Sequence, residues 1–515
     1  MTTVLPVAEH PVRTTERISL RGATVGWWLA GAVGFLLIAD GRVTIAFAAW
    51  LAPLCLMRFV RLQKRWRGLL IAYGVLCVTR GVTYAGMIPI PGIFYFIFLL
   101  ISGFTSLLPF MADRFLHGRL SGFARTLVFP TALVTLQFFG SHGPFGTWGA
   151  WPYTQAGNLR LLQLLSVTGL WGITFLMGWF AAVINEVLEE GIQSRQAAMP
   201  LVVFAATLMA VVTLGGLRLA LFPPSSTLVR VASLSPLKDG PPIPDELLHQ
   251  VASGKASEPE LKNFHDITTA TQSELLARSE REAQAGAKII FWSETAAYVL
   301  KADEPELFAN ARDLATKYKI YLGLAIGTWT PGAPHPLENK VVLFQPDGQI
   351  AWRFLKAHPT PGPEAAMAVK PAGKLLGLST PYGRISTAIC YDMDFATLFR
   401  QAGELPADVV ISPAGDWRAI DPRHTEMASF RAIEEGFNLV RQANLGFSAA
   451  YDYQGHLLAA MHDYQSKDLA LVAYVPVRGQ RTLYSRWGDW FAWLCVIGLL
   501  TLIAVAVRSP YREIR

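Results

Sequence analysis

The chain has 515 residues, of which 52% are hydrophobic and only 16% are charged. This balance is too apolar for an ordinary soluble protein and too polar for a chain of membrane helices alone, so a membrane portion joined to a globular portion fits best. The net charge of +7 does not require a nucleic-acid partner, because lysine and arginine cluster where apolar segments end.

Eight apolar runs are long enough to cross a bilayer, which takes about 20 residues. They cover residues 24–40, 43–60, 69–90, 92–112, 124–140, 161–187, 200–222 and 488–507. The first run does not resemble a cleaved signal peptide, because further spans follow it at once. The sequence therefore predicts a multi-pass α-helical membrane bundle of about eight spans.

Basic residues accompany alternate ends of these runs. The four clusters are Arg13, Arg17 and Arg21; Arg58, Arg61, Lys64, Arg65 and Arg67; Arg114, Arg119 and Arg125; and Arg508, Arg512 and Arg515. Since cytoplasmic loops are enriched in lysine and arginine, the clusters predict which loops face the cytoplasm. The chain then divides into a membrane domain of seven helices (residues 1–222), an extracytoplasmic domain (223–487), and a last helix with a cytoplasmic tail (488–515).

Two features of the membrane half call for an explanation. Arg80 falls inside the third run, where a charge is costly; either it has a functional or buried partner, or its segment is re-entrant or lines a polar cavity.

The aromatic residues of the loop 141–155 are Trp148, Trp151 and Tyr153. We expect them first as anchors at the bilayer interface, and they are also candidates for an entrance for acyl chains.

Residues 223–487 alternate between strand and helix patterns, which predicts a layered α/β domain. The predicted strands cover 227–233, 288–292, 320–326, 340–344, 350–355, 384–390, 408–412, 438–441 and 446–451, and the predicted helices cover 261–285, 304–318, 393–403 and 422–436. The irregular loop 357–379 is long enough for a lid or a binding role.

Three reactive side chains occupy similar places in this pattern. Glu294 follows one strand, Lys356 ends a second, and Cys390 ends a third. Ligands of α/β sheets bind beyond the carboxyl ends of strands, so these groups can converge. A free cysteine is often only a small buried hydrophobe, and a strand-end lysine is often only solvated, but a thiol with glutamate and lysine candidates upstream can also be a nucleophile.

The motifs around these residues resemble those of the apolipoprotein N-acyltransferases, the membrane branch of the carbon–nitrogen hydrolase (nitrilase) superfamily. Trp292-Ser-Glu294-Thr-Ala is similar to that family's Trp-Pro-Glu-Thr-Ala, and Ile389-Cys390-Tyr391-Asp392 is similar to its Ile-Cys-Tyr-Glu. Lys356, with Glu364 eight residues later, matches its lysine and loop glutamate. Further similar segments are Trp171–Phe175, His424–Glu434 and Arg441–Ser448.

The resemblance implies an αββα sandwich domain with a Glu-Lys-Cys triad. Glu294 would act as general base for Cys390, and Lys356 would stabilise the oxyanion. The backbone N–H of Tyr391 is a candidate second oxyanion donor. Glu364 either orients Lys356 or is a solvated loop acid, and Asp392 either shapes the site or caps the following helix. We expect His424 to have a surface or capping role.

The implied reaction moves a fatty acyl chain from a phospholipid, through a thioester on Cys390, to the α-amino group of an N-terminal diacylglyceryl-cysteine of an apolipoprotein. No metal, cofactor or nucleic acid is expected, since the ester is already an activated acyl group. The expected setting is a monomer in the bacterial inner membrane, with the catalytic domain on its extracytoplasmic side.

Three other functions remain open at this point. The same triad serves a membrane-bound nitrilase-type amidase with water as acceptor, or an N-acyltransferase with a different amine acceptor. The third alternative is a transporter or scaffold with an inactive domain. Seven spans before the α/β domain are more than a tether needs, which favours a lipid substrate.

Overall fold

The structure is a computed structural model that describes residues 13–42, 44–90, 92–370, 373–400 and 406–509, with side chains described from residue 24 onward. Arg512 and Arg515 of the predicted cytoplasmic tail lie outside the described residues, as do the side chains of Arg13, Arg17 and Arg21.

The first part of the chain is helical. Its helices are α1 (Arg13–Ala39), α2 (Ala48–Leu62), α3 (Arg65–Thr83), α4 (Ile93–Leu116), α5 (Phe123–Gly140), α6 (Leu159–Leu162), α7 (Leu165–Thr168), α8 (Leu170–Glu190) and α9 (Arg195–Leu221). Short 3-10 helices cover His117–Arg119 and Trp151–Gln155. The predicted helical character of this part is confirmed.

By length and composition, five helices in the described ranges can cross a membrane. They are Ile93–Arg119, Phe123–Gly140, Leu170–Glu190, Arg195–Leu221 and Trp490–Arg508. The first three predicted spans correspond to α1, α2 and α3. The side chains of α1 are described only from Thr24, α2 has 15 residues, and α3 carries three arginines. The count of eight spans is therefore not confirmed.

The predicted span 161–187 is a broken helix. The chain forms the short helices α6 and α7 and then turns at Gly169, which has φ +61°. A Cβ atom at Gly169 would lie 2.4 Å from the ring of Tyr484, so only glycine fits there. The break brings α7 and the start of α8 against the α/β domain.

Charges buried among the membrane helices are paired with one another. Arg61 of α2 donates two hydrogen bonds to Asp113 of α4, at 2.8 and 2.7 Å. Arg61 and Arg125 of α5 both reach Glu186 of α8, each at 3.1 Å. Four helices are thereby joined at one end of the bundle by compensated charges.

The second part of the chain forms the α/β domain. Its strands are β1 (Leu228–Leu234), β2 (Ile289–Trp292), β3 (Ala297–Leu300), β4 (Tyr321–Trp329), β5 (Leu337–Phe344), β6 (Ile350–Leu355), β7 (Gly377–Thr380), β8 (Gly383–Thr387), β9 (Val409–Gly415), β10 (Asn438–Asn444), β11 (Phe447–Tyr451), β12 (Leu457–His462) and β13 (Ala470–Pro476). Its helices are α10 (Asp245–Ser253), α11 (Glu258–Gln284), α12 (Glu304–Tyr318), α13 (Pro363–Met367), α14 (Ala396–Arg400), α15 (Arg423–Glu435) and α16 (Leu483–Trp487), and α17 (Trp490–Arg508) follows.

The strands form two sheets that face each other. One sheet has the order β13-β1-β2-β4-β5-β6, with β3 added beside β4, and the other has the order β12-β11-β10-β9-β8-β7. Both sheets contain parallel pairs, β1 with β2 and β2 with β4 in the first, and β8 with β9 and β9 with β10 in the second. A parallel pair places the carboxyl ends of its strands at the same edge, which is where the candidate residues lie.

One apolar core fills the space between the sheets, and helices cover their outer faces. Fully buried residues from both sheets, such as Phe291 and Ile411, belong to that core. Polar contacts also cross it, since Ser233 of β1 donates to Gln442 of β10 at 2.9 Å. Helices α11 and α12 pack on the first sheet and α15 on the second. The predicted αββα sandwich is confirmed.

Two segments near the cysteine differ from the sequence-based prediction. The strand predicted over 384–390 ends at Thr387, and residues 390–394 form a 3-10 helix instead. The helix predicted over 393–403 is shortened to α14 within the described ranges. The cause is the left-handed backbone of Cys390, φ +47°, which no extended strand can contain.

The α/β domain is bound directly to the loops of the membrane half. Thr147 donates its backbone N–H to the carbonyl of Asp394 at 2.9 Å, and Trp417 donates its indole N–H to the carbonyl of Gly86 at 2.7 Å. Trp171 of α8 donates to Asp489 at 2.7 Å, just before α17. The candidate site is thus fixed close to the membrane half.

The close contact at Gly436, the residue that ends α15, can be tested by substitution. It has φ +80°, and an added Cβ would lie 1.7 Å from the carbonyl oxygen of Gln480. We expect Gly436→Ala to lower the unfolding temperature of the detergent-solubilised protein by several degrees more than Gly286→Ala. Gly286 is the matched control, because it has φ +94° but open space around its Cβ. Equal shifts would show that only the backbone conformation matters at Gly436.

Candidate active site

The three residues singled out at strand ends meet in one buried cluster. Glu294 lies just beyond β2, Lys356 just beyond β6, and Cys390 three residues beyond β8. Lys356 Nζ donates to Glu294 Oε1 at 2.7 Å. The site therefore joins the edges of both sheets, and this is possible because the sheets face each other with their strand ends aligned.

The carboxylate of Glu294 is held by three donors. Besides Lys356, Asn339 Nδ2 donates to Oε1 at 2.7 Å, and the backbone N–H of Gly415 donates to Oε2 at 2.8 Å. Thr295, the next residue, has a left-handed backbone with φ +45°. The strand therefore ends in a tight turn that points the carboxylate at the ends of β5 and β9.

Cys390 presents its thiol from a strained turn. Its Sγ donates to the carbonyl of Gly415 at 3.5 Å, so Gly415 contacts both the thiol and Glu294. A non-glycine residue with positive φ costs about 1–3 kcal/mol and is found where a site over-determines the backbone. Cys390 is only 3% exposed, and the narrow cavity described below has this residue in its wall.

Burial and charge set the protonation of these groups. Burial alone would lower the pKa of Lys356, but the carboxylates of Glu294 and Glu364 outweigh it and hold that pKa well above its ordinary value. Burial and the charge of Glu294 raise the pKa of the Cys390 thiol, while Lys356 and His424 oppose them. The resting pair is thus an ammonium beside a neutral thiol, which needs a base to become a nucleophile.

Glu364 is not a solvated loop acid. Its Oε2 accepts from Lys356 Nζ at 2.7 Å and from the backbone N–H of Thr360 at 2.9 Å, while Oε1 accepts from Asn339 at 2.8 Å. Burial raises the pKa of Glu364, but the charge and hydrogen bond of Lys356 overcome it and lower the pKa overall. Glu364 is therefore placed to orient the ammonium.

Asp392 shapes the site, and it caps the 3-10 helix that contains it rather than the expected helix after it. Its carboxylate accepts from the backbone N–H of Ile389 at 3.0 Å, which caps the 3-10 helix of Cys390. It also accepts from the backbone N–H of His358 at 2.7 Å, two residues after Lys356. The neighbouring Tyr391 donates its hydroxyl to the carbonyl of Pro144 at 3.0 Å. These bonds tie the cysteine turn to the lysine loop and to the membrane half.

The surface or capping role expected for His424 is wrong. The ring is 2% exposed, and its Nδ1 lies 2.8 Å from Asp416 Oδ1 and its Nε2 3.5 Å from Asp394 Oδ2. Arg441 donates to both oxygens of Asp416, at 2.9 and 3.1 Å. Burial and Arg441 lower the pKa of His424, but Asp394 and Asp416 outweigh them and raise it well above its ordinary value.

His424, Asp416 and Cys390 together have the donor types of a metal site. Their ligand atoms lie within 4.8 Å of one another. Two features oppose a metal here: Arg441 already neutralises Asp416, and the charges of Asp394 and Asp416 raise the pKa of His424, whereas a metal needs a neutral imidazole. The set is better described as an imidazolium beside the thiol. His424 lies in a segment singled out from the sequence, but no spacing indicated that it approaches Cys390, and nothing in the sequence pattern pointed to Asp416.

A narrow cavity leads to the thiol between the two halves of the protein. Cys390, Tyr391 and His424 line it from the α/β domain, and Phe145 and Trp148 line it from the membrane half. Phe145 and Trp148 also line a larger cavity among the membrane helices, of about 460 Å³. The two spaces are therefore adjacent, with these two aromatic side chains between them.

The three aromatic residues considered for a lipid entrance have different positions. Trp148 and Trp151 both line the larger cavity. Tyr153 does not: it is buried, its hydroxyl shares a hydrogen bond with Thr147 at 2.7 Å, and Arg431 donates to it at 3.2 Å. Tyr153 therefore belongs to the contact between the halves, since its loop turns inward at the 3-10 helix Trp151–Gln155.

Comparison with known proteins gives a consistent set of relatives. The family model described as "Carbon-nitrogen hydrolase" matches residues 259–482. An apolipoprotein N-acyltransferase of Geobacter metallireducens is 25% identical over 417 residues, covering 76% of each chain, and one of Bradyrhizobium diazoefficiens is 26% identical over 424 residues, covering 76% of this chain and 74% of the relative. Among solved structures, an amidase from Nesterenkonia sp. is 17% identical with a TM-score of 0.38, covering 50% of this chain and 94% of the amidase.

The protonated His424 should be detectable in the reactivity of Cys390. We expect iodoacetamide alkylation of Cys390, followed by peptide mass spectrometry, to rise with pH above the ordinary thiol value of about 8.5. His424→Asn should move the midpoint to still higher pH, because a nearby cation favours the thiolate. His265→Asn is the control, since His265 pairs with Asp303 away from the site. An unchanged midpoint in His424→Asn would contradict this electrostatic role.

Proposed function

Because this chain belongs to the apolipoprotein N-acyltransferases of the carbon–nitrogen hydrolase superfamily, we propose that it transfers an acyl chain from a phospholipid, through a thioester on Cys390, to the α-amino group of a diacylglyceryl-cysteine. The chain is an acyltransferase of lipoprotein N-acylation. The observation that carries the proposed mechanism is the buried Glu294–Lys356–Cys390 cluster, adjacent to a cavity among membrane helices.

In the first half-reaction Glu294 takes the proton of the Cys390 thiol, and Sγ attacks the carbonyl carbon of an acyl ester. Negative charge develops on the carbonyl oxygen, where the Lys356 ammonium and the backbone N–H of Tyr391 stabilise it. Such donors contribute about 3 kcal/mol each to the transition state. The C–O bond of the ester then breaks, and Glu294 returns its proton to the leaving lysophospholipid.

In the second half-reaction the acceptor amine attacks the thioester carbonyl. Glu294 takes the proton that the amine loses, the C–S bond breaks, and the proton returns to Sγ as the amide forms. Glu364 holds Lys356 in place in both steps, since the same ammonium must face an oxyanion twice. The free thiol of Cys390 is regenerated at the end of the cycle.

Two other functions share this cluster. A nitrilase-type amidase would use water as the acceptor, and a related transferase would use another amine. The adjacent membrane cavity supports a lipid donor over a small amide. The reactive groups occur in the expected order, Lys356 donates to Glu294, and Gly415 contacts both Glu294 and Cys390, which supports an enzyme over a transporter or scaffold.

The protein is an inner-membrane protein whose acceptor is a lipoprotein. We propose further that the α/β domain lies on the extracytoplasmic side, that the donor is a membrane phospholipid, and that the chain acts as a monomer. Lysine and arginine at the opposite ends of the helices support this orientation, because Arg65 and Arg67 begin α3 and the α/β domain contacts the loop that follows α3.

The orientation has a labelling test. We expect Lys255→Cys, exposed on the α/β domain, to react with a membrane-impermeant maleimide in intact cells whose outer membrane is permeabilised. Arg67→Cys, exposed at the start of α3, should react only after lysis. The opposite pattern would place the α/β domain in the cytoplasm.

The thioester has a direct test by mass spectrometry of the intact protein. After incubation with phospholipid alone, we expect an added fatty-acyl mass on Cys390 that hydroxylamine removes, and no adduct in Cys390→Ala. Adding a diacylglyceryl lipopeptide should discharge the adduct and yield N-acylated peptide. Glu294→Gln should slow adduct formation by about 10²- to 10⁴-fold.

Three outcomes would decide against this function. Ammonia released from small amides without any lipid acceptor would favour the amidase. N-acylated lipopeptide formed at the normal rate by Cys390→Ala would exclude the thioester. Discharge of the adduct by a different amine, but not by the lipopeptide, would indicate another acceptor.

A further inference from the structure

Arg80 is an isolated cation in the cavity of the membrane half. It lies in the last turn of α3, and it is the one cationic side chain among the described residues that line that cavity. Its Nη1 donates to the carbonyl of Ser102 on α4 at 2.9 Å and also to the Ser102 hydroxyl. The guanidinium lies over the ring of Tyr84, 5.7 Å from its centroid.

No carboxylate within the described ranges lies at ion-pair distance from Arg80. The nearby acid is Asp40, which also lines the cavity. Asp40 already accepts a hydrogen bond from Tyr84 at 2.7 Å and pairs with Arg423 of the α/β domain. The negative charge beside Arg80 is therefore used elsewhere, and the positive charge of Arg80 remains uncompensated.

This contrasts with two deeply buried arginines of the membrane helices. Arg61 and Arg125 each pair with carboxylates of neighbouring helices. A charge at membrane depth is costly, and a protein that only needs a helix contact can make it without one. Neutral oxygens of Ser102 satisfy one nitrogen of a group with five N–H donors. The remaining donors are available to an anion that enters the cavity.

The rest of the cavity indicates what kind of anion this is. Most of its wall is apolar, including Leu36, Leu133 and Phe110. A small inorganic anion gains nothing from such a wall, whereas a lipid buries its chains against it. Guanidinium groups bind phosphate oxygens through paired, charge-assisted hydrogen bonds. The apolar wall suits the acyl chains of a lipid, and the single cation suits its phosphate, so the cavity matches an anionic phosphodiester that carries acyl chains.

We infer that Arg80 binds the phosphodiester of the phospholipid donor and selects phosphate-bearing lipids. This inference rests on the proposed function, because it assigns the donor of the same reaction. Phosphate and acyl ester sit on one glycerol unit, so a phosphate held in the larger cavity keeps an ester close to the wall of Phe145 and Trp148. The thiol of Cys390 lies in the cavity on the other side of that wall.

The test compares two donors that differ only in the phosphate. Purified full-length wild type, Arg80→Gln and Arg42→Gln are assayed for acyl transfer from phosphatidylglycerol and from a diacylglycerol with the same chains. We expect Arg80→Gln to lower kcat/KM for phosphatidylglycerol by about 10- to 100-fold, and that for diacylglycerol by less than about twofold. Arg42→Gln should change neither, since Arg42 is exposed and donates only to a backbone carbonyl, that of Ala85.

A binding measurement separates this inference from the proposed chemistry. In Cys390→Ala, which cannot form the thioester, native mass spectrometry should show retained phosphatidylglycerol, and Cys390→Ala with Arg80→Gln should lose most of it.

Equal loss of activity with both donors would make Arg80 structural and overturn the inference. Unchanged retention in the double variant would overturn it too. Competition by millimolar inorganic phosphate would point to a free-anion site instead. Failure of the wild type to acylate any lipopeptide would refute the proposed function, while the retention result would still stand.

Discussion

The buried ammonium of Lys356 is the constraint on which the rest of the site depends. It is 2% exposed and lies between the carboxylates of Glu294 and Glu364, each at 2.7 Å. A buried charge is tolerated only where its partners are fixed, and here Asn339 donates to both carboxylates. Strands β2, β5 and β6 and helix α13 must therefore keep their relative positions, since losing one partner leaves an unpaired charge in the core.

The same arrangement explains why the nucleophile sits where it does. Gly415 donates its N–H to Glu294 and accepts from the Cys390 thiol, so one residue of β9 sets the distance between the proposed base and the proposed nucleophile. The left-handed backbone of Cys390 turns the thiol out of the line of β8, and the capping carboxylate of Asp392 holds that turn. The strained backbone of Cys390 is maintained by contacts from outside the turn. Gly415 accepts from its thiol, the backbone N–H of His358 donates to Asp392, and the carbonyl of Pro144 accepts from Tyr391.

Much of this was predictable from the sequence, and the exceptions share a cause. Strand patterns placed Glu294 and Lys356 correctly at strand ends, because the hydrophobic periodicity and composition of a short segment are enough to predict a strand there. The turn at Cys390, the inward side chain of Tyr153 and the break at Gly169 depend on Pro144, Arg431 and Tyr484, which lie far away along the chain. The cluster of His424, Asp416 and Arg441 likewise forms only when α15, β9 and β10 pack together. Local patterns do not encode such contacts.

Buried charges are paired in the membrane half as well as at the active site, and Arg80 is an exception to this pairing. Each buried charge at the active site has a fixed partner, and so do Arg61 and Arg125 among the membrane helices. Arg80 departs from the rule at the place where a cavity leads toward the thiol. A charge at membrane depth is costly, and the serine oxygens alone cannot offset the charge of Arg80, so an anionic ligand explains its position in the cavity better than packing does. Its partner is then expected from the membrane, which supplies phosphate and acyl ester in the same molecule.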